Sequence, residues 1–196
     1  MKTSKNSLLL GLTGLFVIFL TFGNNCKLQA QDQPETTSKS ELDYKKDAPD
    51  FQLKNLDGQI VKLEDFNDKI LVLHFATTWC PFCNAEAPYL EKLYHEYRNK
   101  GVQVLIIDVK EPKDLVMEKL KNKYELSFPI LLDEDGSVAA KYAPENILPD
   151  LSRDEVMLAS NLIIDRNGKI QFMSLLDSKN FDAELIELKK KLNELL

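Results

Sequence analysis

Short apolar runs recur along the chain from residue 48 onward and predict the strands of a buried sheet. The clearest are Ile70–Phe75 and Val102–Val109, which are apolar almost throughout. A strand in the middle of a parallel sheet is covered on both faces and therefore reads as such a run. With the weaker and alternating segments included, the predicted strands lie at 48–53, 59–63, 70–75, 102–109, 128–132, 162–164 and 169–174.

Longer amphipathic stretches separate these runs and predict helices. From Leu90 to Tyr97, apolar residues recur at the spacing of one helix face. Pro88 should kink that helix, and Gly101 should end it. Strands that alternate with helices predict an α/β fold with a central mixed sheet flanked by helices, and Asp57-Gly58 predicts a β-hairpin at its N-terminal end. The predicted helices lie at 80–100, 114–124, 135–142 and 181–196.

The first thirty residues differ from the rest. Two lysines precede the apolar run Leu8–Phe22, and polar residues follow at once. This order predicts a secretory signal peptide over residues 1–30, cleaved after Ala30, because the run is shorter than the roughly 20 residues that a membrane-spanning helix needs. An uncleaved membrane anchor and a lipid attached at Cys26 are the alternatives.

Beyond the signal segment, the polar stretch 31–46 predicts a flexible tether, and residues 47–196 are the predicted folded domain. The whole chain has a net charge of −6. Loss of residues 1–30 would remove three lysines and no acid, which leaves 22 basic against 31 acidic groups. Such a negative chain is repelled by nucleic acid and anionic membrane surfaces, so we expect neither as a partner. We expect an exported monomer in the periplasm or cell envelope, free or tethered to the membrane.

The cysteines carry the clearest chemistry. Without Cys26, only Cys80 and Cys83 remain, three residues apart where a predicted strand gives way to a predicted helix. A helix N-terminus stabilises a thiolate, so Cys80 should be a nucleophile exposed at the tip, with Cys83 one turn inside to resolve a mixed disulfide. Pro81 is tolerated in the first turn because its missing N–H has no partner there.

Two other uses of a cysteine pair are weighed against redox cycling. A structural zinc site needs four ligands, and the chain offers only His74 and His95 besides the two thiols, on different predicted elements. The second alternative use is a purely structural disulfide between Cys80 and Cys83. A loop that small stabilises folding far less than a long one does, so both uses are disfavoured.

The segment from His74 to Pro88 resembles the active site of exported thioredoxin-like proteins of the TlpA/ResA type, in the AhpC/TSA–thioredoxin superfamily. Those proteins carry WCxxC, then a glutamate and a proline, where this chain has Glu86 and Pro88. Ala48–Phe51 with its hairpin and Leu162–Gly168 match other parts of the same branch. The resemblance implies a thioredoxin fold and thiol–disulfide exchange. The implied partners are protein thiols or disulfides and a membrane or exported electron donor or acceptor. It implies no cofactor beyond the Cys80–Cys83 disulfide, and no metal.

The resemblance also suggests roles for neighbouring residues. His74 lies six residues before Cys80, where thioredoxins hold a buried acid, so it either relays a proton to Cys83 or is a neutral core histidine. Glu86 would shift the titration of the thiols or accept a proton. The predicted docking surface for a partner chain is Trp79, Pro81, Phe82, Ala159 and Ser160.

The chain departs from its relatives at two places. Ala159 occupies the slot where they carry a cis-proline, and because a cis bond before a non-proline residue costs about 3–4 kcal/mol we expect a trans peptide there. The dipeptide Pro81-Phe82 between the cysteines is not the x-Pro of most relatives. Since that dipeptide tunes the redox potential, the direction of electron flow is left unassigned.

Two alternative functions stay open at this point. The motif of a peroxiredoxin-like peroxidase has a threonine or serine three residues before its reactive cysteine, and Thr77 lies there. It also has a proline seven residues before that cysteine, where this chain has Leu73. A non-catalytic module of the same fold could hold copper(I) on the two thiolates, although no methionine lies near Cys80 in the sequence.

Overall fold

A computed structural model of the protein describes residues 46–196. The predicted signal peptide and residues 31–45 of the predicted tether lie outside these residues. Within 46–196, no helix is both long and apolar enough to cross a membrane.

The described residues form seven strands and four main helices. The strands are β1 (Gln52–Asn55), β2 (Ile60–Lys62), β3 (Ile70–Ala76), β4 (Val102–Val109), β5 (Ile130–Asp133), β6 (Ser160–Ile164) and β7 (Ile170–Ser174). The helices are α1 (Pro81–Tyr97), α2 (Lys113–Val116), α3 (Ser137–Tyr142) and α4 (Ile186–Leu195). A π-helical segment, Met117–Asn122, continues α2, and short 3-10 turns lie at Leu63–Phe66, Arg98–Lys100 and Glu155–Met157.

All seven strands belong to one sheet in the order β2-β1-β5-β4-β3-β6-β7. The pairs β3–β4 and β4–β5 are parallel, and the other neighbours are antiparallel. The predicted mixed sheet is therefore confirmed, with β4 at its centre and β3 beside it. The predicted N-terminal hairpin is also confirmed, and β1 attaches it to the sheet by pairing with β5.

Both faces of the sheet are covered, as the continuous apolar runs require. On β3, Val72 belongs to a buried cluster with Leu90 of α1 and Leu192 of α4. The adjacent Leu71 belongs to the opposite cluster with Tyr142 of α3. Successive side chains of a strand point to opposite faces, so one short strand anchors both layers. This fixes the C-terminal end of β3, from which the cysteine loop leaves.

Several predicted boundaries differ from the observed ones, and the last helix differs most. The last helix starts at Ile186 rather than at 181, because Leu185 has a left-handed backbone (φ 60°) that a regular helix cannot continue through. Phe181 instead packs edge-on against Phe82, with ring centroids 4.8 Å apart. The first strand starts at Gln52 rather than at 48, and β5 starts at Ile130, immediately after Pro129.

A buried carboxylate anchors α3, and its loss should measurably destabilise the fold. Asp133 accepts the backbone N–H groups of Val138 at 3.2 Å and Ala139 at 2.8 Å and is itself fully buried. Asp133→Ala is expected to lower the free energy of unfolding by about 2 kcal/mol, because two buried donors lose their acceptor. Urea denaturation measures the change. The exposed neighbour Glu134 is the control, and an equal loss in Glu134→Ala would contradict the assignment.

Candidate active site

Cys80 and Cys83 lie at the junction between β3 and α1. Cys80 is the residue that caps the N-terminus of α1, with φ −72° and ψ 115°. Its Sγ accepts the backbone N–H of Cys83 at 3.3 Å. Both residues are free thiols in the structure. The helix therefore directs its free N–H groups at the sulfur of Cys80.

The two sulfurs have very different acidities. The pKa of Cys80 is lowered to about 6, first by a hydrogen bond from the Cys83 side chain and then by the backbone N–H groups of Cys83 and Phe82, which together outweigh burial. The pKa of Cys83 is raised far above its usual value, first by that same hydrogen bond to Cys80 and then by burial. At neutral pH, Cys80 is the thiolate and Cys83 is the thiol that stabilises it.

The prediction that Cys80 would be exposed at the tip was wrong. Its exposed fraction is 4%, and that of Cys83 is 1%. The Cys80 sulfur turns back over the first turn of α1 to reach the Cys83 N–H, and it belongs to the buried cluster that contains Ala159. Trp79 takes the outward position instead, with 66% of its surface exposed.

A buried chain of polar side chains lies near the cysteines. Asn161 donates from Nδ2 to Glu86 Oε1 at 2.8 Å, and its Oδ1 lies 2.9 Å from His74 Nδ1. The Asn161 oxygen is an acceptor only, so His74 carries its hydrogen on Nδ1. All three side chains are at least 97% buried. The structure thus brings together the predicted site residues His74 and Glu86.

Burial keeps both ends of this chain uncharged near neutral pH. It lowers the pKa of His74 to about 4, which favours the neutral imidazole. It raises the pKa of Glu86 to about 8, so most of this carboxyl retains its proton at pH 7. Glu86 Oε2 and His74 Nε2 have no hydrogen-bond partner among the described residues. Glu86 Oε2 lies 3.5 Å from His74 Nδ1, so the two ends of the chain also contact each other directly.

Sequence reasoning did not identify Asn161. It lies on β6 directly opposite His74 of β3, and the polar residue at the start of an otherwise apolar strand was the available signal. Its function is to connect two groups from distant parts of the chain, which a single sequence does not show.

The predicted docking residues divide into exposed and buried sets. Trp79 and Pro81 are exposed, and Phe82 is half-buried. Ala159 and Ser160 are both buried, and the Ser160 hydroxyl turns inward to donate to the Met157 carbonyl. A partner chain can therefore reach the first three side chains directly.

The loop at Ala159 differs from a proline-containing one as expected. The described residues contain no cis peptide bond, so the predicted trans peptide is confirmed. Ala159 has φ 58°, and its N–H donates to the carbonyl of Phe75 at 2.9 Å. A proline has no N–H, so this hydrogen bond is open to Ala159 and ties the loop to the end of β3.

Potential metal ligands do not cluster in this part of the protein. Among residues 46–196, no group of three or more histidine, cysteine, aspartate or glutamate side chains lies close enough to hold a metal ion. The two thiols and the buried polar chain are thus the chemical groups that the site offers.

Comparison with known proteins agrees with this geometry. The sequence profile of the AhpC/TSA family matches residues 44–173, about two thirds of the chain. The chain belongs to the AhpC/TSA family. Within this family, it is 31% identical to the thiol-disulfide oxidoreductase ResA of Bacillus thuringiensis subsp. konkukian, over 68% of this chain and 70% of the relative. It is 36% identical to ResA of Geobacillus thermodenitrificans, over 69% and 71%.

A solved structure supports the fold of this AhpC/TSA protein. It is similar, with a TM-score of 0.57 and 26% identity, to a secreted Mycobacterium tuberculosis disulfide oxidoreductase homologous to E. coli DsbE. The match covers 74% of this chain and 96% of that one. The predicted thioredoxin fold and the predicted resemblance to the ResA type are both confirmed.

Proposed function

We propose that this thiol–disulfide oxidoreductase works by a two-cysteine cycle in which Cys80 attacks and Cys83 resolves. The observation that carries the proposal is the Cys80 sulfur, held 3.3 Å from the Cys83 N–H with its pKa lowered to about 6. A thiolate available at neutral pH is the reactive form in exchange. The adjacent thiol of Cys83 provides the second sulfur that the cycle requires.

The electrons balance over two displacements. The Cys80 thiolate attacks one sulfur of a partner disulfide, a mixed disulfide forms, and the other partner sulfur leaves as a thiolate. Cys83 then loses its proton and attacks Cys80 Sγ, so the Cys80–Cys83 disulfide forms and the second partner sulfur leaves. The partner gains two electrons, and the protein is oxidised. The reverse sequence oxidises a partner dithiol.

Glu86 and His74 are proposed to accept the proton that Cys83 loses when it attacks. Because the pKa of Cys83 is raised, a nearby base must take its proton when it attacks. The pKa of Glu86 is raised to about 8, so roughly a tenth of this carboxyl is ionised at pH 7 and can accept that proton. Asn161 holds Glu86 by Oε1 and leaves Oε2 without a hydrogen bond, 3.5 Å from His74 Nδ1. His74 is neutral, with an unpartnered Nε2, and so serves as a further acceptor in the same chain.

The proposed setting is the periplasm or cell envelope, with the chain free or tethered to the membrane. The proposed substrates are protein thiols and disulfides, served by a membrane or exported electron donor or acceptor. The N-terminal sequence supports export, since it has the order of a signal peptide. The exposed side chains of Trp79 and Pro81 beside Cys80 support docking of a protein chain.

Paired activity assays test the proposal. We expect the protein to catalyse reduction of insulin disulfides by dithiothreitol, and we expect Cys80→Ser to lose at least about 100-fold of that rate because the nucleophile is gone. His95→Gln, a change at an exposed histidine away from the site, should keep the parent rate. Consumption of hydrogen peroxide is measured on the same samples. A peroxide rate that depends on Cys80, together with no insulin reduction, would favour the peroxidase instead.

A further inference from the structure

The loop that carries Cys80 is held by an acid from another part of the chain. Glu111 follows the end of β4, and its Oε1 accepts the hydroxyl of Thr78 at 2.7 Å. Its other oxygen, Oε2, accepts the backbone N–H of Thr78. Two hydrogen bonds from one residue to the two oxygens of one carboxylate fix both its position and its orientation. Glu111 therefore determines how the chain enters the last two residues before Cys80.

Asn84 holds the same loop from the side of α1. Its Nδ2 donates to the carbonyl of Thr78 at 2.8 Å and to that of Cys80 at 2.7 Å. Its Oδ1 accepts the hydroxyl of Tyr124 at 2.7 Å and the ammonium of Lys123 at 3.3 Å. The N–H, hydroxyl and carbonyl of Thr78 are thus all engaged by side chains.

Both contacts lead back to a single segment of the chain. Glu111 precedes α2, and Tyr124 follows the π-helical continuation Met117–Asn122. Segments of π-helix are rare and are frequent at functional sites. This segment reaches the cysteine loop directly at one end and through Asn84 at the other.

A second acid, Asp108, lies close to Glu111 inside the protein. It is 1% exposed, and neither of its carboxylate oxygens has a hydrogen-bond partner among the described residues. Its neighbours across the sheet, Ala76 of β3 and Leu132 of β5, are both apolar. Burial first, and then the charge of Glu111, raise the pKa of Asp108 to about 9. At neutral pH, the Asp108 carboxyl therefore retains its proton.

The other charged groups at this edge of the sheet are occupied elsewhere. Lys110 pairs with Asp154 at 2.7 Å. Asp133 accepts the backbone N–H groups of Val138 and Ala139 in α3. Glu111 is accordingly the charge that acts on Asp108.

We propose that Glu111 is a positioning residue for the redox loop, acting through Thr78, and that it keeps this position only while the buried Asp108 is uncharged. The proposal rests on the function proposed above, because it concerns how the Cys80 thiolate is maintained. The Cys80 sulfur meets the N–H groups of α1 only while Cys80 keeps its capping conformation. If Thr78 is released, that alignment is lost and a smaller fraction of Cys80 is thiolate at a given pH. Ionised Asp108 would repel Glu111 and release Thr78 in the same way.

The rate at which iodoacetamide modifies Cys80, followed by mass spectrometry from pH 4 to 8.5, tests the role of Glu111. Glu111→Ala should move the midpoint upward by about one pH unit, which slows modification about fivefold at pH 6. Glu111→Gln should stay within about twofold of the parent, because its amide can accept the Thr78 N–H and donate to the Thr78 hydroxyl. Thr78→Val, which removes only the hydroxyl, should give a smaller shift in the same direction and should fold even if Glu111→Ala does not.

Trp79 fluorescence tests the role of Asp108. Trp79 is the only tryptophan of the chain and directly follows Thr78. In the parent, the fluorescence anisotropy of Trp79 should fall with a midpoint near pH 9, because the loop is released. Asp108→Asn should abolish that fall. Below pH 8, its anisotropy should equal that of the parent.

The outcomes separate the two proposals. The positioning role would be overturned if Cys80 modification in the parent has its midpoint near pH 6 and neither Glu111→Ala nor Thr78→Val shifts that midpoint. This holds even if both variants lose stability. An equal shift in Glu111→Gln and Glu111→Ala would also overturn it, because charge rather than hydrogen-bond geometry would then be decisive. A fall in anisotropy that persists in Asp108→Asn would overturn the role of Asp108. A midpoint near pH 9 for iodoacetamide modification of Cys80 in the parent would instead contradict the two-cysteine function itself.

Discussion

Cys83→Ala is expected to stop the reaction at a mixed disulfide between Cys80 and the partner. The variant keeps the backbone N–H of residue 83 at 3.3 Å from the Cys80 sulfur, so the first attack still proceeds. The second sulfur is missing, and resolution must wait for a thiol from solution. Loss of a well-placed intramolecular nucleophile should slow resolution by at least about 10³-fold.

Mass spectrometry under non-reducing conditions measures this effect. A disulfide-linked model peptide should add one peptide thiol to Cys83→Ala and nothing to the Cys80→Ala control. The parent should show only the transient adduct followed by its own disulfide. Turnover of Cys83→Ala at the parent rate would show that one cysteine suffices and would refute the cycle.

The elements that the sequence predicted best are those with a strong local signal. β3 and β4 are apolar almost throughout because helices cover both of their faces, and their predicted limits are within one residue of the observed ones. The start of α4 could not be predicted in this way. The stretch from Phe181 has helical periodicity, but Leu185 has a left-handed backbone and Phe181 packs on Phe82, and a single sequence shows neither feature.

The same distinction applies to the site. The spacing of Cys80 and Cys83 after a buried strand predicted the thiolate and its helix, because both depend on local backbone geometry. The burial of Cys80 and the link from His74 through Asn161 to Glu86 depend on β6 lying beside β3. That pairing joins residues 87 positions apart, and periodicity in a single sequence carries no information about it.

The acid pair of Asp108 and Glu111 illustrates why such features escape a motif. Asp108 falls within the apolar run of β4 and looks there like the polar end of a strand. Its place beside the cysteine loop depends on the pairing of β3 with β4. That pairing brings Thr78, after β3, into hydrogen-bond contact with Glu111, after β4.

The pH dependence of Cys80 modification is the second large effect that we expect. In the folded protein, the rate should follow one ionisation with a midpoint near 6, as the lowered pKa of Cys80 requires. At pH 5, a thiol with this pKa is about 10³-fold more ionised than one titrating at 9, and its lower intrinsic nucleophilicity reduces the advantage to roughly 30- to 60-fold. Cys83 should remain unmodified throughout, because its pKa is raised and it is buried.

Unfolding provides the control for this profile. In concentrated urea, both cysteines should react alike with an ordinary midpoint between about 8 and 9. A native midpoint in that range, or comparable modification of Cys83, would show that α1 does not stabilise a thiolate on Cys80.

The same measurement on Cys83→Ala separates the two sources of stabilisation. The hydrogen bond from the Cys83 side chain is the largest cause of the lowered pKa of Cys80, and the backbone N–H groups of residues 82 and 83 are the lesser ones. The variant loses the hydrogen bond from the Cys83 side chain and keeps the backbone N–H groups. The midpoint of Cys80 modification should therefore lie above pH 6 and below the value measured in urea. A midpoint unchanged from the parent would assign the whole effect to the helix N-terminus. A midpoint equal to the unfolded value would assign it to the partner thiol alone.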